Sequence, residues 1–205
     1  MEAVGVKSKD VVFLFFSTLL IGIGADIITG FILKLPTGGI KAFFLYIVGL
    51  IGFGAIYSVF SQMGFFAYLT VHRFGLGIFK SQALWNGVQL VITVFVLFDL
   101  FYLRYTAFYK KGESIASYFI IPIVVLVIGL IVAYFKQKAT NRGAFIPTLF
   151  FIVVVTTVEW VPVLKQNDVY ANWMAFVPLI LCNAYQILIL HRLNQQNAKR
   201  TSAQG

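Results

Sequence analysis

Six long apolar stretches, joined by short polar connections, leave this chain almost no surface suited to water. They run over residues 11–33, 42–70, 84–103, 114–135, 144–164 and 173–190. A bilayer core about 30 Å thick needs roughly 20 helical residues at about 1.5 Å of rise each, and every stretch is near or above that length. The pattern predicts an all-α fold: a polytopic integral membrane protein built as a bundle of six transmembrane helices. Residues 1–190 form one transmembrane domain, and residues 191–205 (HRLNQQNAKRTSAQG) form a short, basic, disordered cytoplasmic tail, because they are polar and without periodicity.

Composition excludes the main soluble classes. With 60% hydrophobic residues, 11% charged and a mean hydropathy of +0.90, a water-soluble domain would lack polar surface. The net charge of +9 does not indicate nucleic acid, since the basic residues are scattered through connections with no aromatic-rich polar module beside them. The single Cys182 lies in the sixth stretch, so no intrachain disulfide is available and the thiol reads as a buried structural group. Gly22, Gly24 and Ala25 offer a small-residue patch, but the apolar run continues past it to residue 33, so the first stretch reads as a retained span and not a cleaved signal.

Lysine and arginine set the orientation. Lys7, Lys9, Arg73, Lys80, Lys136, Lys138, Arg142, Arg192, Lys199 and Arg200 fall on one side, and Lys34, Lys41, Arg104, Lys110, Lys111 and Lys165 on the other. This asymmetry predicts a multi-pass protein of the cell membrane with both termini cytoplasmic. The connections are too short to fold independently, and there is no convincing internal repeat.

Three carboxylates interrupt the spans: Asp26, Asp99 and Glu159. Each lies 15 positions from the cytoplasmic end of its stretch, roughly 22 Å in, and that shared depth permits a common polar site. Charges at such depth are costly, so these groups face the bundle interior, pair with cations or stay protonated. Thr18, Gly22, Asp26 and Gly30 recur every four residues and form a stripe with little side-chain bulk; Gly54, Ser58 and Gln62 form a second. Such stripes let membrane helices approach closely. The second stretch exceeds the bilayer thickness, and Gly75 and Gly77 in VHRFGLGIFKSQA predict an interfacial turn after it. Asn86 and Gln89 are spaced as an interhelical hydrogen-bonding pair. Neither His72 nor His191 has the neighbours a metal site needs, no cofactor is implied, and no nucleotide-loop, zinc-protease or nucleophile-elbow motif is present.

The segment SQMGFFAYLTVHRFGLGIFKS at residues 61–81, followed by LWNGVQL and by FVLFDLFYLRY ending at Tyr105, resembles the KbaA family of KinB-signalling pathway activation proteins. The resemblance covers most of residues 11–190. It implies a membrane regulator that promotes activation of a sensor histidine kinase feeding the sporulation phosphorelay, with no catalytic residues to carry over. The partners implied are membrane lipid and that kinase. The surfaces expected to meet the kinase are the small-residue stripes and the segment bearing His72, Arg73, Lys80 and Asn86. The alternative is a small ion-coupled transporter using Asp26, Asp99 and Glu159; an intramembrane enzyme comes third.

Overall fold

The computed structural model describes residues 8–112, 114–166 and 168–202, and these are helical almost throughout, with no strand among them. Helix α1 is Ser8–Leu33, α2 Gly39–Phe79 and α3 Gln82–Phe108. A 3-10 turn at Ile115–Phe119 leads into α4, Ile120–Ala139. The fifth span is composite: a 3-10 turn at Arg142–Ala144, α5 at Phe145–Phe150, a π-helical turn at Phe151–Val155, and α6 at Thr156–Leu164. Helix α7, Val169–Ser202, supplies the sixth. Six segments are long and apolar enough to cross a bilayer, and the chain is a multi-pass membrane protein. Such a solution suits hydrocarbon because a helix satisfies its backbone hydrogen bonds within one segment.

The two faces of the bundle are called here the terminus side, where α1 begins and α7 ends, and the far side. Spans are not equivalent. Over their most apolar windows the fifth and sixth are 61% and 56% buried, against 17–28% for the first four. The chain's centre is therefore the π-helical turn, whose Phe151, Ile152 and Val153 are wholly enclosed. Phe65 of α2 packs edge-on against Phe151 at 5.6 Å between centroids, and Tyr68 lies 4.8 Å from the same ring. Lipid tails are as apolar as these side chains, so the bundle is held by close packing and interhelical hydrogen bonds instead of by escape from water.

Helix α1 lies against α2 and α7. Gly22 and Gly54 bring the first two backbones together: a Cβ on Gly22 would stand 2.7 Å from the Gly54 carbonyl oxygen, and one on Gly54 would stand 2.7 Å from the Gly22 carbonyl oxygen. Ser58, Gln62 and Thr18 are buried in the same seam, and Gly30 is covered by Leu50. At the far side the Tyr46 hydroxyl lies 2.7 Å from both the Lys34 carbonyl oxygen, past the end of α1, and the Gly30 carbonyl oxygen, which also accepts the Lys34 N–H at 2.9 Å.

One sequence expectation is corrected. The segment holding Gly75 and Gly77 is not a turn, because α2 continues through it to Phe79, 41 residues in all, or about 60 Å. The chain reverses instead at Lys80, in the left-handed conformation with φ 51°, whose N–H returns to the Leu76 carbonyl at 3.1 Å. Ser81 then caps α3 by accepting from the Leu84 N–H at 3.4 Å. Gly75 serves packing: the Trp85 indole occupies the space where its Cβ would be. Helix α7 extends past the sixth span. Its backbone stays helical to Ser202, since residues 191–202 hold Leu, Gln, Ala, Lys and Arg, good helix formers with no Gly or Pro to stop them. Lys7 and residues 203–205 lie outside the described residues.

Candidate functional site

Polar side chains inside a bilayer must find one another, and here they meet where the second, fifth and sixth spans touch. Asn183 of α7 is the hub. Its amide nitrogen donates to the Thr156 hydroxyl at 2.9 Å and to Glu159 Oε2 at 2.7 Å, while its carbonyl oxygen accepts from the Ser61 hydroxyl at 2.8 Å. Both amide hydrogens and the acceptor are thus engaged, joining α2, α6 and α7 through one residue. Ser61, Thr156, Asn183 and the neighbouring Gln186 are all fully buried.

Gln186 completes the junction. Its Oε1 stands 3.2 Å from the Ser61 hydroxyl, and its Nε2 has no partner. A hydroxyl has one hydrogen, which Ser61 already directs to Asn183. Rotating the Gln186 amide by 180° lets its nitrogen donate to the Ser61 oxygen, so that orientation is the chemically consistent one for this contact.

Glu159 is held at the edge of this junction, half-buried. One carboxylate oxygen is engaged by Asn183, and the other lies against Gly64 of α2, where any side chain would collide with it, and has no hydrogen-bond partner. The π-helical turn immediately precedes Thr156. Its wider winding resets the face that α6 presents, which places Thr156 and Glu159 together on α7; such turns recur at functional sites. A second polar seam lies beside it at similar depth, between α1, α2 and α7. Gln62 donates to the Ser58 hydroxyl at 3.1 Å and to the Phe15 carbonyl at 3.4 Å, and Cys182 lies 3.6 Å from the Thr18 carbonyl.

The other two carboxylates are elsewhere. Asp26 is fully buried where α1 meets α2, beside Gly54, with neither oxygen partnered. Glu159 sits at Gly64, ten positions further along α2, or about 15 Å by helical rise. Asp99, half-buried, lines a groove between α3 and α6 on a different face from Glu159. Equal sequence depth does not bring the three together, because depth along a helix says nothing about which way a residue faces. No group of three His, Cys, Asp or Glu residues among the described ones is placed to hold a metal ion.

At the terminus side a second cluster locks α2 to α3. The Trp85 indole N–H donates to His72 Nδ1 at 3.1 Å, and Gln89 Nε2 lies 3.5 Å from the same nitrogen. Because the indole can only donate, Nδ1 must accept, and the imidazole is the neutral tautomer protonated on Nε2. Trp85 also stacks on Phe79 at 5.6 Å, and Tyr68, beside His72, donates to the Pro147 carbonyl at 3.1 Å. His72 is turned inward, whereas Arg73 and Lys80 are exposed and Asn86 is half-buried. Lys136 is buried and donates to the Ile187 carbonyl at 2.5 Å, tying the end of α4 to α7. The sequence pattern identified Glu159, Ser58 and Gln62 but not Asn183, Gln186, Thr156 or Trp85. Asn183 and Gln186 at i and i+3 were the available signal, since two amides on one face of an apolar span are rare without a partner.

The family model for KbaA, described as KinB-signalling pathway activation in sporulation, matches residues 16–193. A KinB-signaling pathway activation protein of Bacillus subtilis (strain 168) is 44% identical over 193 residues, covering 90% of this chain and 96% of that protein. No solved structure matches.

Proposed function

Because this chain belongs to the KbaA family, we propose that it is a non-enzymatic membrane regulator that promotes activation of a sensor histidine kinase feeding the sporulation phosphorelay. The observation that carries this reading is the 44% identity extending over nearly the whole length of both chains. It acts by packing against the kinase's membrane segments. A regulator of this kind must bind the active arrangement more tightly than the inactive one, and shifting a population from 1:99 to 99:1 takes about 5.5 kcal/mol of differential binding.

The polar junction suits such a role. Asn183, Ser61 and Thr156 satisfy one another inside the bundle, which gives a rigid platform whose outer helices are free to meet another protein. On this reading the terminus side is cytoplasmic, and Arg73 and Lys80, exposed at the end of α2, face the kinase's cytoplasmic approach. His72 supports that end of the α2–α3 hairpin through Trp85, and half-buried Asn86 lies at the same end.

Expression of this chain in a Bacillus subtilis strain lacking its 44%-identical relative tests the proposal. Restored kinase-dependent sporulation signalling, with the kinase recovered alongside the tagged chain from solubilised membranes, is the expected result. Normal membrane accumulation with neither signalling nor recovery overturns it. The unpartnered oxygens of Asp26 favour an ion-coupled transporter as a second reading. Purified chain in sealed liposomes separates the two, since a transporter moves a cation down an imposed gradient and a regulator does not.

A further inference from the structure

We infer that the groove between α3 and α6 is a docking site for one transmembrane helix of a partner, a helix with a cation or hydrogen-bond donor level with Asp99 and a carboxylate nearer the far side. The inference rests on the proposed regulator function and deepens it by naming the surface and the chemistry of what it receives.

The groove encloses about 360 Å³. Its floor is tightly packed, with Leu100 3% and Leu164 5% exposed, while Leu103 and Val158 at the rim are 52% and 63% exposed. Polar side chains from both helices line it with hydrogen-bonding capacity unused. Asp99 joins no ion pair or hydrogen bond among the described residues, although Arg104 and Lys165 line the same groove. The Thr157 hydroxyl is buried and unbonded, and Arg104, whose guanidinium lies 5.6 Å from the Phe108 ring centroid, leaves Nη1 without a hydrogen bond.

Thr157, like Thr18 in the α1 seam, departs from the usual helical habit. Thr29, Thr70, Thr93 and Thr106 each return their hydroxyl to the carbonyl four residues back, at 2.7–3.0 Å. Thr157 does not, and it lies just beyond the π-helical turn. Thr157 lines the groove from α6 as Asp99 does from α3, with its hydroxyl buried in the wall.

The polarity along the groove selects the occupant. Asp99 and Thr157 lie at its deep end. Arg104 lies five positions beyond Asp99, and Lys165 eight beyond Thr157, about 8 and 12 Å toward the far side. An acyl chain offers nothing to a carboxylate or a hydroxyl, and an unsatisfied polar group in hydrocarbon is costly. A helix face does offer a complement: a lysine, arginine or amide at the level of Asp99, aliphatic residues over Leu100, and an acid meeting Arg104 and Lys165.

The test places a photo-crosslinking amino acid at Leu103 or Val158 in the full-length chain in native membranes, with Val91 and Ile32, exposed on other faces, as controls. A kinase adduct from the groove positions and none from the controls is expected. Asp99→Leu and Thr157→Val should each lower kinase co-purification several-fold at unchanged chain abundance. Adducts with lipid alone, with a second copy of this chain, or only at the control positions overturn the inference. So does wild-type recovery of kinase with Asp99→Leu, which removes both the charge and the acceptor. If a variant fails to accumulate, the crosslinking arm, which keeps Asp99 and Thr157, still decides. Kinase recovered without a groove adduct rejects this surface and leaves the proposed function standing; no kinase recovered with the unaltered chain rejects both.

Discussion

Asn183 joins three helices with one side chain, and its removal has a larger expected effect than any single hydrogen bond in the bundle. Interhelical bonds in membranes average about 0.6 kcal/mol, but a buried group left without its partner costs about 1–3 kcal/mol. Asn183→Leu orphans Ser61, Thr156 and Glu159 together. The expected outcome is destabilisation of about 2–3 kcal/mol, read as a lower thermal midpoint of the detergent-solubilised protein. Ser61→Ala, which orphans the Asn183 carbonyl and the Gln186 amide but leaves Thr156 and Glu159 engaged, should cost about 1 kcal/mol, the lower end of that range. Equal effects of the two would show that Asn183 is no hub. Trp85→Phe keeps the stacking on Phe79 and frees His72 Nδ1, so accessibility of the imidazole to alkylation should rise while the fold persists.

Glycines separate the roles of two helices at the scale of elements. Gly75 and Gly77 both lie inside α2, yet only Gly75 is covered, by Trp85; a Cβ on Gly77 meets nothing within 4 Å. Gly77→Ala should therefore stabilise the helix by about 0.5–1 kcal/mol, and Gly75→Ala should destabilise by displacing the indole. Opposite signs in thermal stability confirm a continuous α2; a loss at both positions would point back to a turn. The same logic applies where α1 crosses α2. Gly54→Leu forces the backbones apart and should abolish accumulation of the protein, whereas Gly52→Ala, on an open face, should leave it unchanged.

For the whole molecule, the ten-to-six distribution of basic residues predicts its orientation. Cysteine introduced at Lys138 should resist an impermeant thiol reagent in intact cells, and one at Lys111 should react. The reverse pattern would invert the topology and with it the assignment of Arg73 and Lys80 to a cytoplasmic partner. Replacing both cations by Gln should reduce pathway signalling without lowering protein abundance, because each is exposed; unchanged signalling would leave them a purely topogenic role.

Hydropathy alone determined the six spans, the membrane class and the helical fold, since crossing hydrocarbon demands a long run of apolar residues whatever they pack against. The character of 61–105, with its Gly, His, Arg, Asn and Gln set in apolar sequence, was enough to reveal the family. Helix ends were less legible: α2 outruns the apolar segment by nine residues, 71–79, because hydropathy records where lipid ends and not where backbone hydrogen bonding does. Which polar residues meet was decided only by tertiary structure. Asp26, Asp99 and Glu159 share a depth in sequence and lie on three different surfaces, since azimuth depends on helix rotation, and a π-helical turn shifts it for everything that follows in the fifth span. Asn183 looked like any amide in a span until α2 and α6 placed a hydroxyl and a carboxylate within its reach.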